Sequence, residues 1–310
     1  MQKSYLNIID TETGDVTVLH TFERIIEAPN WNHKNNCLYY NSNGHIYKYD
    51  IDSDTGCEID TDVCDDCNND HVLSPDFSHI AVSHNTNHDW LQCQIFICPI
   101  DGGKATPVTE HKPSFLHGWS PVTDELCYCA FRDINGVRHV DVYKTAARRH
   151  LTHTTDSSNN VDSDISKAPD TVSDNLFYEV RLTNEGFNDG PEFSPDGKHI
   201  WYNSTVTGLM QIWRMNADGT DKIQMTDNDK DNWFAHVSPD GKKVVYLAFN
   251  KEDQLPEQHL PNLHVELWIM DYDGSNKRKL ISLFGGQGTI NVNSWSCDSR
   301  RLAFVSYDEI

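Results

Sequence analysis

A chain of 310 residues with 47 acidic against 25 basic side chains carries a formal net charge of −22. That charge repels phosphate backbones and anionic lipid, which argues against a nucleic-acid or membrane-surface partner. No stretch approaches the roughly 18 apolar residues of a membrane helix, and the opening MQKSYLNIID lacks the apolar run of a signal peptide. Nine cysteines, an odd number in a chain without an export signal, are expected to be reduced thiols of a cytoplasmic protein.

Two units alternate along the chain. From Tyr5, YLNIIDTETGDVTVLH reads as a lone hairpin. From Trp31 begins a block that ends a strand on a large apolar residue, turns, and starts another strand. It recurs as LSPDFSHIAVSH from Leu73, WSPVTDELCYCAF from Trp119, FSPDGKHIWYNS from Phe193, VSPDGKKVVYLAF from Val237 and WSCDSRRLAFVSY from Trp295. Pro fixes φ for the turn and Gly takes the positive φ that follows, so each block is a tight turn between antiparallel strands. A second unit, two strands around an Asp-Gly-type turn, follows from His45, Gln94, Gln211 and Glu266.

Together the units give four strands per repeat, one propeller blade. The expected fold is all-β, a single domain over 1–310 with six blades, the ring closed by the N-terminal strands completing the last blade. Two insertions interrupt the period. The one near 148–175 is rich in Ser, Thr and Asp and replaces the outer hairpin of the third blade. The one near 250–263 joins the second and third strands of the fifth blade, where it should overhang a channel mouth as a lid.

Internal alignment of the blades exposes positions that a purely structural repeat would fill with small residues or proline. Three and two places before the turn stand His71, His117, Glu192 and His236, expected on the innermost strands at the crossing-loop end of the channel. Imidazole and carboxylate suit a divalent ion such as Mn²⁺, Zn²⁺ or Fe²⁺, so these four form a candidate metal site. His236 differs in strand parity from His71 and His117, and convergence would require a bulge or a wide channel. Asn68, Asn69, Asp70, Asp189, Gln211 and Gln287 would hydrogen-bond a substrate, and Trp233 would offer a flat face to a sugar ring.

Other motifs read less sharply. Cys64 and Cys67, with Cys57 upstream, have the spacing of half a zinc knuckle, but no second pair follows, so core or loop thiols are expected. His84 and His88 lie in a loop on the same mouth as the other histidines. The run Gly285-Gly286-Gln287-Gly288 precedes a strand and lacks the helix N-terminus of a phosphate loop, leaving a tight turn that presents Gln287 to the channel.

The Ser-Pro-Asp-Gly blocks with their following Leu-Thr strands resemble the propeller repeats of the TolB C-terminal domain. NNDHVLSPD from Asn68, HGWSP from His117, DGPEFSPDG from Asp189, GLMQIWRM from Gly208, NWFAHVSPDG from Asn232 and LFGGQGTINVNSW from Leu283 resemble a group of bacterial TolB-like propellers. The resemblance covers essentially the whole chain and implies six blades without TolB's N-terminal α/β domain. Ala235 and Cys297 stand where related segments carry proline. Oligogalacturonate lyases are similar in repeat type and, as a family, hold manganese through histidines and a glutamine, although they have seven blades.

Two functions follow as expectations. The first is a metal-dependent carbohydrate-active enzyme, a lyase on a small acidic or modified oligosaccharide. His71, His117 and His236 would serve in catalysis, a neutral histidine or metal-bound hydroxide acting as base. The second is a non-catalytic scaffold that holds a protein or ligand partner at the same mouth.

Overall fold

The computed structural model describes residues 2–147 and 178–309; the expectation for 148–175 falls outside them. Six antiparallel sheets form the ring. Blade one comprises Glu27–Asn32, Cys37–Ser42, His45–Asp50 and Thr55–Glu58. Blade two comprises Cys67–Leu73, His79–Asn85, Cys93–Pro99 and Thr106–Pro107. Blade three holds Ser114–Trp119, Glu125–Ile134, Val137–Ala146 and Val180–Arg181. Blade four holds Asn188–Phe193, His199–Ser204, Gln211–Asn216 and Ile223–Gln224. Blade five holds Lys230–Val237, Lys243–Asn250, Pro261–Asp271 and Arg278–Gly286.

Blade six is shared between the ends of the chain. Ser4–Asp10 pairs with Val16–Phe22 on one side and with Arg301–Tyr307 on the other, in register from Ser4 opposite Tyr307 to Asp10 opposite Arg301. Its innermost segment pairs only loosely, through the Trp295–Leu302 bridge and the bond from Ala303 N to Ser294 O at 3.0 Å. The expected closure is therefore present, and it leaves no open sheet edge at the seam of the ring.

The repeated turn has a chemical cause. Ser74, Ser194, Ser238 and Ser296 each donate to an aspartate two places on, at 2.5–2.7 Å. The same oxygens accept from the backbone N–H five places on, in His79, His199, Lys243 and Arg301. One hydroxyl thus pins both ends of the turn, an ST-type motif. The positive φ falls on Gly197 and Gly241 as expected, but Phe77 and Ser299 adopt it in blades two and six.

The core lies between the sheets. Each block's leading apolar residue, Trp31, Leu73, Trp119, Phe193, Val237 or Trp295, is buried. Seven of the nine cysteines are buried free thiols, Cys57 and Cys297 being exposed. Cys64, Cys67 and Cys98 share one apolar cluster, and burial helps push the Cys67 thiol up, so the knuckle motif is core packing. Among the described residues no helix is long and apolar enough to cross a membrane.

Candidate functional site at the channel mouth

A backbone irregularity shapes the channel. The inner strands slip register between Glu27 and Asn30, Cys67 and His71, Leu116 and Gly118, Asp189 and Glu192, and Trp233 and His236. Ala28, Gly190 and Phe234 sit inside these bulges with φ near +56°. A bulge re-aims the side chains around it. It sorts the candidate residues to different ends and depths of the ring.

The crossing-loop mouth opens on a cavity of about 270 Å³ lined by Asn68, Asp70, His117, Asp189, His259 and Gln287, with aromatic walls. His117, only 6% exposed, places Nε2 3.0 Å from Asp189 Oδ1 and Nδ1 4.0 Å from Asp70 Oδ1. Its Nδ1 has no hydrogen-bond partner. His259, from the 250–263 insertion, approaches Asp189 Oδ2 at 3.7 Å, so the expected lid does reach the mouth. Asp70 accepts from Asn68 and Asn291, each at 2.5 Å. Asn69 accepts from Gln287 and Asn291 at 3.3 Å.

Electrostatics divide these groups. Burial pulls the His117 pKa down, but Asp70, Asp189 and Glu192 outweigh it and hold it above its ordinary value. Burial raises Asp70, and the nearby His117 only partly offsets it. Burial also acts to raise Asp189, yet the hydrogen bonds from His117 and His259 bring it well below the usual carboxylate range. Glu27, beside the channel, is pushed up to about 7 by burial and by Asp70. Glu27, which the sequence reading does not single out, stands five places before its turn. So do Asn69, Asp189 and Asn291, and an alignment at that depth would have found them together.

The expected metal site is not assembled. His71 turns its Nε2 to Tyr39 O at 3.2 Å, and burial pulls its pKa down to about 4. His236 engages Glu192 Oε2 through Nδ1 at 2.6 Å and Ile290 O through Nε2. Glu192 also accepts from Asn293 at 2.8 Å. His236 and Glu192 therefore tie blades four, five and six together, with both imidazole nitrogens already used. Among the described residues no group of three or more His, Cys, Asp or Glu is disposed to hold a metal ion. The parity conflict seen in the sequence is the physical reason, because the bulges do not bring the three imidazoles to one point.

Two further expectations need correction. Trp233 is fully buried with His259 against it, ring centroids 4.6 Å apart, and presents no face to a ligand. Gln211 bonds Asn228 O, Lys230 O and Asn232 at the boundary of blades four and five, away from the cavity. The residues before the turns also divide between two openings. Glu192 lines a second cavity of about 200 Å³ at the turn end of the channel, with Asn30, Asn293 and several turn prolines, and His117 borders both cavities. His84 lies in the strand His79–Asn85, not a loop, and packs edge-on against Phe96; His88 pairs with Asp66 at 3.1 Å, and its loop delivers Trp90 to the mouth. In the glycine run, Gly288 is required by close approach, since a Cβ there would lie 2.6 Å from Glu27 Cγ.

Fold and site together define a six-bladed β-propeller with a polar, histidine-containing pocket at one mouth of its channel. No known family model matches the chain. The uncharacterized protein Atu1656 of Agrobacterium fabrum is 36% identical over 307 residues, covering 98% of this chain and 92% of that protein. A solved structure from Agrobacterium tumefaciens, provisionally named TolB, is 34% identical with a TM-score of 0.84, covering 100% of both chains. The chain belongs to this family of TolB-like propellers. Oligogalacturonate lyase in complex with manganese has a TM-score of 0.51 at 10% identity, over 90% of this chain and 67% of that one, a likeness of fold alone.

Proposed function

We propose that the protein is a small-molecule enzyme of carbohydrate-active type, working by acid–base chemistry at the crossing-loop mouth. One observation carries the reading. His117 is held by a carboxylate at one nitrogen and left without a partner at the other, in the wall of a cavity sized for a small ligand. Asp189 fixes the ring and favours its imidazolium form. Asp70, made more basic by burial, faces it across 4.0 Å.

An imidazole held in its charged form beside a carboxylate made more basic supplies an acid and a base for opposite roles. His117 would donate a proton from Nδ1 to a leaving oxygen, and Asp70 would take one from carbon or hydroxyl. In an elimination the C–H electron pair becomes the new C=C bond as the C–O bond breaks, and the two protons balance. No step is routed through a metal, since three of its four expected donors, His71, His236 and Glu192, are engaged elsewhere. The cavity walls contain no Lys or Arg among the described residues, which weighs against a uronide and toward a neutral or modified sugar.

A scaffold reading draws on the opposite opening, whose walls include Trp31, Phe77, Trp119 and Phe193, a surface suited to an apolar peptide anchor. Incubating wild-type and His117→Ala protein with panels of neutral, acidic and amino sugars, followed by NMR, separates the two. The enzyme reading expects turnover that falls about 100-fold or more in the variant. Neither turnover nor binding of any sugar would leave the scaffold. The unpaired thiols suit a reducing compartment, and we place the protein in the cytoplasm, to be checked by cell fractionation.

A further inference from the structure

The crossing-loop cavity has a second chemical character, independent of its acid–base pair. Trp90, Phe115, Phe131 and Phe187 form its walls. Phe131 is the hub, meeting Trp90 at 5.8 Å and 74°, Phe115 at 5.9 Å and 72°, and Phe187 at 6.2 Å and 85°. Rings set edge to face in this way turn their electron-rich faces in several directions, and such faces attract cations. Three carboxylates, Asp70, Asp189 and Glu257, line the same space, and no Lys or Arg among the described residues does. The surrounding field has the same sign, given the net charge of −22. The 94%-buried His117 retains an unpartnered Nδ1 at this wall, a polar atom awaiting a ligand group.

We infer that the natural ligand carries an ammonium group, and that the substrate class is an amino sugar or a sugar-sized amine rather than an acidic sugar. Phe131 and Trp90 would face the cation, Glu257 would accept its N–H groups from the lid, and Asn68 and Gln287 would bond ring hydroxyls. The inference rests on the small-molecule reading of this mouth and sharpens it.

Titration calorimetry at neutral pH and fixed ionic strength, with glucosamine, glucose and glucuronate as probes, tests it. Glucosamine should bind about tenfold or more tighter than glucose, and glucuronate weakest. Glu257→Gln, on an exposed loop, should reduce the preference for glucosamine over glucose to about threefold or less. Phe131→Leu should weaken glucosamine about fivefold. Glucose or glucuronate binding as tightly as glucosamine, or a preference untouched by Glu257→Gln, overturns the cation inference while the small-molecule site stands. Binding of none of the three overturns both.

Discussion

Replacing Glu27 by glutamine should stabilise the protein increasingly above pH 4.5 and fully from about pH 7. Glu27 is half-buried on the inner strand of blade one, with Asp70 nearby and Gly288 packed on its stem. Its folded pKa stands near 7 against an unfolded value of 4.5. A raised carboxyl pKa means that the folded chain holds the proton longer than the unfolded one. Stability is thus unaffected below about pH 4.5, falls as pH rises from there to 7, and stays lowered above. The full difference corresponds to about 3.4 kcal/mol at 1.36 kcal/mol per unit, and partial exposure brings it to about 1–3 kcal/mol. Glutamine keeps the shape of the neutral acid and removes the titration. With an unfolding entropy of about 2.1 cal/mol/K per residue, Glu27→Gln should melt roughly 2–5 °C above wild type at pH 8 and within about 1 °C of it at pH 4.5. Calorimetry at both pH values checks this. An equal difference at both, or a variant less stable at pH 8, refutes the buried acid.

Other outcomes follow from the same channel. His236→Ala, which strands the Glu192 carboxyl between three blades, should cost about 3–5 kcal/mol in urea unfolding, whereas Glu192→Gln, which keeps an acceptor for His236, should cost about 1–2 kcal/mol. His117 has a raised pKa, so its stabilisation is complete below pH 6.5 and is lost as pH rises through its folded value; His117→Gln should flatten that alkaline decline in urea midpoints. Adding Mn²⁺ or Zn²⁺ should leave the melting temperature within about 1 °C, since an ion at 100 times its Kd would contribute about 2.7 kcal/mol and a readily seen rise. Such a rise would restore the metal reading.

The architecture was legible because the repeat is encoded in local chemistry. Ser-Pro-Asp-Gly names its own turn through one hydroxyl and one positive φ, and the unpaired units at Tyr5 and Trp295 announced the shared blade. Asp70, Asp189, His117 and Gln287 line one cavity and stand out in the sequence because each is a polar residue where a structural repeat needs none. Trp233 and Gln211 were misplaced for the opposite reason. Polar or aromatic character at an inner strand also serves contacts between blades, and only the partner reveals which role applies. Trp90, Phe131 and Phe187 give no signal at one repeat depth, since they reach the mouth from a loop, a second strand and a crossing segment.

The bulge explains both the successes and the failures. In an unbroken strand, residues three and five places before the turn share a face, and the residue between them points away. A slipped register places an extra residue there, and Ala28 and Phe234 accept left-handed φ, at a cost of order 1–3 kcal/mol each, to keep it. That cost is offset by specific bonds: Ala28 N donates to Gly288 O at 2.7 Å, and Phe234 N to Asn203 Oδ1 at 3.1 Å. Five places before their turns, Glu27, Asn69, Asp189 and Asn291 gather at the channel, while Trp233 at the same depth is buried; nearer the turn, His71 and His236 tie blades together, whereas His117 and Asp70 reach the cavity. A single backbone device, repeated around the ring, thus decides blade by blade whether a polar side chain meets the cavity or a neighbouring blade. Straightening it in one blade should disturb both at once.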